Sequence, residues 1–159
     1  MNNSGKLKVV AEQKRKQPCM LSFSGSFNPI HTGHIKVLEM IKTYLESLGY
    51  EVLKGYIAPS SDNYVRGKLG LKAIDLKDRV ALTDLAIQSY FERNNSICWL
   101  ETCPYGIMSS SKTAAEIRKN NNIPSYIKIF EVGGADYALR SKPWSIPKHC
   151  NKPFVCIGR

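Results

Sequence analysis

Between residues 19 and 48 the chain changes its apolar period once, and that change restricts the fold more than any other feature. Residues 19–24 (CMLSFS) form a short apolar run closed by Gly25, the pattern of a buried strand. Ten residues later the period lengthens. Ile35, Leu38, Ile41, Leu45 and Leu48 recur at three- and four-residue steps, which puts one apolar stripe on a helix that Gly49 can end in a left-handed cap. Residues 52–58 (VLKGYIA), stopped by Pro59, then predict a second strand.

The alternation continues to the end of the chain. The polar, glycine-containing stretch 60–72 predicts a long surface loop. Asp75 can cap a second helix with Asp78 in its first turn, and Val80, Leu82, Leu85, Ala86 and Tyr90 give that helix a broad apolar face. Residues 96–100 (SICWL) predict a third strand. Residues 109–111 can cap a short helix reaching about Lys119, and residues 126–132 (YIKIFEV) and 153–157 (PFVCI) predict a fourth and a fifth strand. Strands alternating with helices imply right-handed crossovers, so the fold class is α/β: a Rossmann-like, doubly wound parallel sheet of about five strands, with ligands outside its carboxyl ends. The chain shows no repeats and no low-complexity tracts.

At 159 residues with 43% hydrophobic composition, one domain over 18–159 is expected. Residues 1–17 carry Lys6, Lys8, Lys14, Arg15 and Lys16 ahead of the first apolar run and predict a flexible, solvated basic leader. No stretch approaches a membrane span, and the leader lacks the apolar centre of a secretory signal. A soluble chain of the cell interior, cytoplasmic or nuclear and not secreted, is expected. Its five cysteines, Cys19, Cys98, Cys103, Cys150 and Cys156, have no paired C-x-x-C spacing, which argues for reduced thiols and against a zinc knuckle. The net charge of +10 is compatible with nucleic acid, an anionic membrane surface or small phosphorylated molecules. No RNA-recognition signature or aromatic platform accompanies it, so nucleic acid and membrane are not expected partners.

The chemistry concentrates in residues 24–35 (SGSFNPIHTGHI), where the first strand hands over to the first helix. Free helix N–H groups and the positive end of the helix dipole favour an anion there. Gly25 and Gly33 permit close backbone approach, and His31 and His34 add donors whose charge adjusts near neutral pH. A polyphosphate suits such a turn; the alternative is a pair of histidines simply packed in a loop.

The stretch GSFNPIHTGH resembles the signature of the nucleotidyltransferase superfamily, and G-S-F-N-P is similar to the nicotinamide or nicotinate mononucleotide adenylyltransferases. The likeness continues in order through YIAPSSDNY, KLGL, DRVALTDLAI, Thr113 with Ile117-Arg118, VGGADYALRSKPW and FVCIGR. The resemblance implies an enzyme that joins AMP from ATP to nicotinamide or nicotinate mononucleotide, giving NAD or its deamido form and pyrophosphate. Its partners would be ATP, bringing Mg2+, and a pyridine mononucleotide; a homo-oligomer is left open, and no dedicated metal site is expected. The resemblance makes His31 and His34 the catalytic pair and sets Gly25, Ser26, Phe27 and His34 against the nucleotide. Tyr64, Arg66 and Lys68, beside an apparent insertion, would touch the mononucleotide phosphate; a solvated basic loop is the alternative. Gly134 and Asp136 would hold ribose hydroxyls, or form a simple turn. Trp144 would stack on the pyridine ring, or be ordinary core, and Thr113 would lie near that ring or do nothing.

Two departures bear on these expectations. Ser110 stands where the family often has a second tryptophan, which puts substrate choice in question. The family's serine- and threonine-rich second signature follows the fifth strand, whereas this chain stops at Arg159, so a fragment or a shortened relative is expected. The run Ser109-Ser-Ser-Lys-Thr lies before the fourth strand and does not count as that signature. A nucleotide-binding module with impaired catalysis, or another H-x-G-H nucleotidyltransferase, is the alternative function.

Overall fold

The architecture comes from a computed structural model that describes residues 15–107, 109–142 and 153–158. Strands β1 (Gln17–Gly25), β2 (Tyr50–Pro59), β3 (Leu100–Thr102), β4 (Lys128–Gly134) and β5 (Phe154–Ile157) form one sheet in the order β3-β2-β1-β4-β5. Every pairing is parallel. This is the α/β, Rossmann-like sheet that the alternation of periods predicts. The basic leader lies almost wholly outside the described residues.

Alternate strand residues serve opposite faces, as the pleat demands. Cys19 and Leu21 of β1, Ile57 of β2 and Phe130 and Val132 of β4 pack in one apolar cluster with helices α1 (Thr32–Ser47) and α3 (Leu76–Arg93). Their neighbours Met20, Tyr56, Ala58 and Ile129 pack on the other face with Ile117 of helix α4 (Ser110–Asn120). On α1 the predicted stripe is buried at Ile35, Leu38, Ile41 and Leu45, while Leu48 is exposed beyond the helix end. Burying each such side chain is worth about 1.5–3 kcal/mol. Gly49 takes the left-handed turn with φ 88°, and Gly49 N donates to Glu46 O at 3.2 Å.

Five expectations need correction. The apolar face expected on α3 from Val80, Leu82, Leu85, Ala86 and Tyr90 is not the buried one: Leu82 and Leu85 are exposed, and Arg79, Thr83, Ile87, Tyr90 and Phe91 are buried. The stretch 60–72 is no open loop: it holds helix α2 (Asp62–Leu69) and a 3-10 turn (Gly70–Lys72). Ser61 caps α2 by accepting from Tyr64 N at 3.4 Å, but Val65 is the helix's one buried residue, so no apolar stripe announces it. The third strand begins at Leu100, because pairing with β2 starts where Leu100 opposes Gly55; Ile97 and Cys98 remain exposed. β4 runs two residues later than predicted, since Gly133 and Gly134 are held in register with Cys156 and Ile157 of β5. Asp75 sits at the start of α3 but does not cap it with its side chain; its carboxylate instead accepts from Arg66 Nη2 at 2.6 Å. A short helix, α5 (Ala135–Ser141), follows β4 directly and was not foreseen.

The described cysteines are all free thiols. Burial, reinforced by the charge of Glu46, pushes the Cys19 thiol up to about 11 and leaves it protonated at neutral pH. No helix among the described residues is long and apolar enough to cross a membrane. The burial pattern of the helices predicts a contrast measurable by denaturant unfolding: Leu38→Ala, at a fully buried α1 position, should cost about 2–5 kcal/mol. Leu85→Ala, on the exposed side of α3, should stay within about 0.5 kcal/mol of the parent chain.

Candidate active site

The strand order reverses beside β1: the connection through α1 leads to β2 on one side, and β4 returns on the other. Such a reversal leaves a crevice outside the carboxyl ends of the strands, where Gly25 closes β1 and Gly134 closes β4. A cavity of about 150 Å³ lies there, walled by Gly25, Ser26, Gly134 and, from α2, Tyr64 and Lys68. Five of the residues singled out from sequence therefore meet in one place.

The turn after β1 is shaped by packing. Phe27 is buried with φ 40°, and its ring lies edge-on to Phe23 at 5.2 Å and to the His34 imidazole at 5.0 Å. A Cβ on Gly25 would stand 3.0 Å from the buried Phe27 ring, so a side chain there would press on the ring beneath the lip of the crevice. The Asn28 side chain ties the turn outward, donating to Lys72 O at 2.9 Å and accepting from Ile74 N at 2.7 Å. Phe27 thus acts from beneath the crevice rather than within its lining.

His31 occupies the position before α1 and His34 its first turn, with ring centroids 3.8 Å apart. His31 N donates to His34 Nδ1 at 3.2 Å, a bond that assigns the remaining proton of neutral His34 to Nε2. Burial, and then the neighbouring His31, lower the His34 pKa to about 4, so the ring is a neutral donor at pH 7. Neither imidazole is in the crevice lining; the pair stands at the adjoining helix start, where the dipole favours an anion.

Other candidates fall differently. Arg66 is turned to Asp75 and is absent from the crevice wall. Thr113 is buried and spends its hydroxyl on Ser109 O at 3.0 Å, leaving Ser110 as the α4 residue that reaches the cavity. Asp136 lies in the first turn of α5, exposed and outside the lining, and Trp144 falls outside the described residues. Sequence reasoning missed Tyr137 and Arg140, which α5 brings to the crevice. It also missed Arg79, which is fully buried; the four-residue steps Arg79, Thr83 and Ile87 along the inner side of α3 carried that signal.

The histidine pair makes a pH-dependent prediction. Because folding lowers the His34 pKa to about 4, the unfolded chain binds more protons between about pH 6.5 and 4, and stability falls as pH falls through that window. His31→Ala should raise the His34 midpoint by removing both cover and a like charge, which an NMR titration of the imidazole protons reads directly; an unmoved midpoint would contradict the coupling.

The chain is 38% identical over 79 residues to the Bos taurus protein named nicotinamide/nicotinic acid mononucleotide adenylyltransferase 1, covering 49% of this chain and 27% of that one. It is 36% identical over 78 residues to the Oryza sativa subsp. japonica nicotinamide/nicotinic acid mononucleotide adenylyltransferase, covering 49% and 30%. The chain thus matches less than a third of the length of these curated relatives. Its fold is similar to the crystal structure of a putative nicotinate-nucleotide adenylyltransferase from Vibrio parahaemolyticus, with a TM-score of 0.57 and 14% identity over 89% of this chain and 74% of that one. The cytidylyltransferase-like family model matches residues 22–127, from inside β1 to just before β4, and on that span the chain belongs to the cytidylyltransferase-like family.

Proposed function

We propose that this chain carries out adenylyl transfer from ATP to nicotinamide or nicotinate mononucleotide. The observation that carries the reading is the pair His31 and His34 at the start of α1, next in the chain to a crevice at the strand-order reversal whose lining includes a cation, Lys68. The names of the matched relatives support the same reaction.

In this reaction an oxygen of the mononucleotide phosphate forms a bond to the α-phosphorus of ATP, the bond from that phosphorus to the bridging oxygen breaks, and pyrophosphate leaves. No covalent intermediate on the protein is needed, so the protein acts by alignment and by neutralising charge on the leaving group. Neutral His34 would donate from Nε2 to a phosphate oxygen, and the approaching negative charge would raise its pKa and favour the imidazolium. Gly25 and Ser26 would lie against the nucleotide, while Tyr64 and Lys68 would receive the mononucleotide phosphate, with Gly134 and Asp136 near a ribose. Trp144 would stack on the pyridine ring, with Thr113 near it. Mg2+ would enter with ATP as part of the substrate, since that ion keeps waters and few protein ligands. The family model's own description favours one competitor, cytidylyl transfer from CTP.

The test supplies purified protein with Mg2+, ATP or CTP, and either mononucleotide, and follows pyrophosphate and dinucleotide. Dinucleotide from ATP is expected. Product from CTP alone would replace the reading, and ATP binding by calorimetry with no product would make the chain a nucleotide-binding module. In an active chain His34→Ala should lower turnover by about a hundredfold or more, as loss of a transition-state donor does. Lys68→Ala should act mainly on the mononucleotide KM, raising it about tenfold, the effect of one charge-assisted hydrogen bond on binding.

A further inference from the structure

Arg79 is a cation with no exposed surface, on a helix that contributes nothing to the crevice wall. Its guanidinium reaches three separate segments. Nη1 donates to Ser26 O at 3.0 Å, in the turn after β1; Nε donates to Ile74 O at 2.8 Å, in the approach to α3; Nη2 donates to Asp62 Oδ1 at 2.9 Å, at the start of α2. Asp62 Oδ1 also accepts from Leu76 N at 2.6 Å. A buried charge is retained only where acceptors meet it, as they do here at each of the three guanidinium nitrogens, and the planar fork of arginine can serve divergent acceptors that a lysine ammonium cannot match.

The three segments are not arbitrary. Ser26 lines the crevice from the turn after β1, and α2 contributes Tyr64 and Lys68 to the same lining. We propose that Arg79 is a positioning residue that sets these two walls of the crevice at a fixed separation, through the Ser26 carbonyl on one side and the Asp62 carboxylate on the other. Helix α2 buries only Val65, so its own packing holds it weakly and the Asp62 contact supplies what the apolar face does not. The chemical consequence rests on the adenylyl-transfer reading: a nucleotide along the turn and a mononucleotide on α2 would meet in line only if the walls keep their spacing. Arg79 would then affect the rate of the aligned complex more than the affinity for either substrate alone.

Hydrogen exchange by mass spectrometry tests the positioning without any need for turnover. In Arg79→Met, amides of 24–31 and 61–74 should exchange about tenfold faster, while 19–23 and 128–132 keep their protection. In Asp62→Ala the gain should be confined to 61–74, because the bonds from Arg79 to Ser26 and Ile74 persist. Unchanged exchange at 24–31 in a folded Arg79→Met chain would overturn the proposal, as would loosening spread evenly through the central strands. Should Arg79→Met fail to fold, Asp62→Ala decides alone: faster exchange at 61–74 supports the proposal and unchanged exchange there overturns it. In an active chain Arg79→Lys should lower kcat about tenfold or more with each KM within about threefold. A parent chain without turnover would overturn the adenylyl-transfer reading and leave the exchange result to judge Arg79.

Discussion

The crevice depends on one buried guanidinium. Stripping Arg79 of water would cost several kcal/mol if its donors went unmet, and the fold meets that cost by converging Ser26, Ile74 and Asp62 on a single point. None of these acceptors lies in the same element as another. The turn after β1, the start of α2 and the approach to α3 are therefore joined by hydrogen bonds to one side chain. Loops can run at a sheet's edge without a core of their own when their backbone carbonyls have such a partner.

Above that anchor, the turn after β1 converts packing into chemistry. The Phe27 ring fills the space beneath Gly25, presses against Phe23 and caps the His34 imidazole with its edge. The same burial that seats Phe27 partly dries His34 and lowers its pKa, and His31 stacked alongside adds to the effect. A ring kept neutral but ready to charge beside an anion is a different device from a permanently charged lysine: its gain is realised when negative charge arrives.

Much of this was legible in the chain. The shift from CMLSFS to the stripe Ile35, Leu38, Ile41 and Leu45 specified the first strand and helix, because burial on one side of an element imposes its period directly on the residues. Gly25, Ser26, Tyr64, Lys68 and Gly134 were identified by motif and resemblance, and they do meet. What failed were elements without a period of their own, and the face of α3, where Leu82 and Leu85 suggested a stripe that the buried Arg79, Thr83 and Ile87 do not follow. Helix α2, with one buried residue, is held by Ser61 and by the distant Arg79; β3 is defined only by where β2 offers partners. Arg66 and Lys68 look alike in a basic stretch, yet one pairs with Asp75 while the other lines the cavity, a difference of helical facing that charge alone does not encode.

By itself the sequence determined the parallel α/β layering, the central place of the first strand's turn and the histidine pair, since each follows from local period or local motif. Only the tertiary structure decided which polar side chains share the crevice, that Tyr137 and Arg140 join it, and that Arg79 binds its edges together. The physical reason is range. Periodicity acts between residues three or four apart, whereas Arg79 and Ser26 are 53 residues apart, and contacts over that separation exist only once the sheet has brought its strand ends side by side.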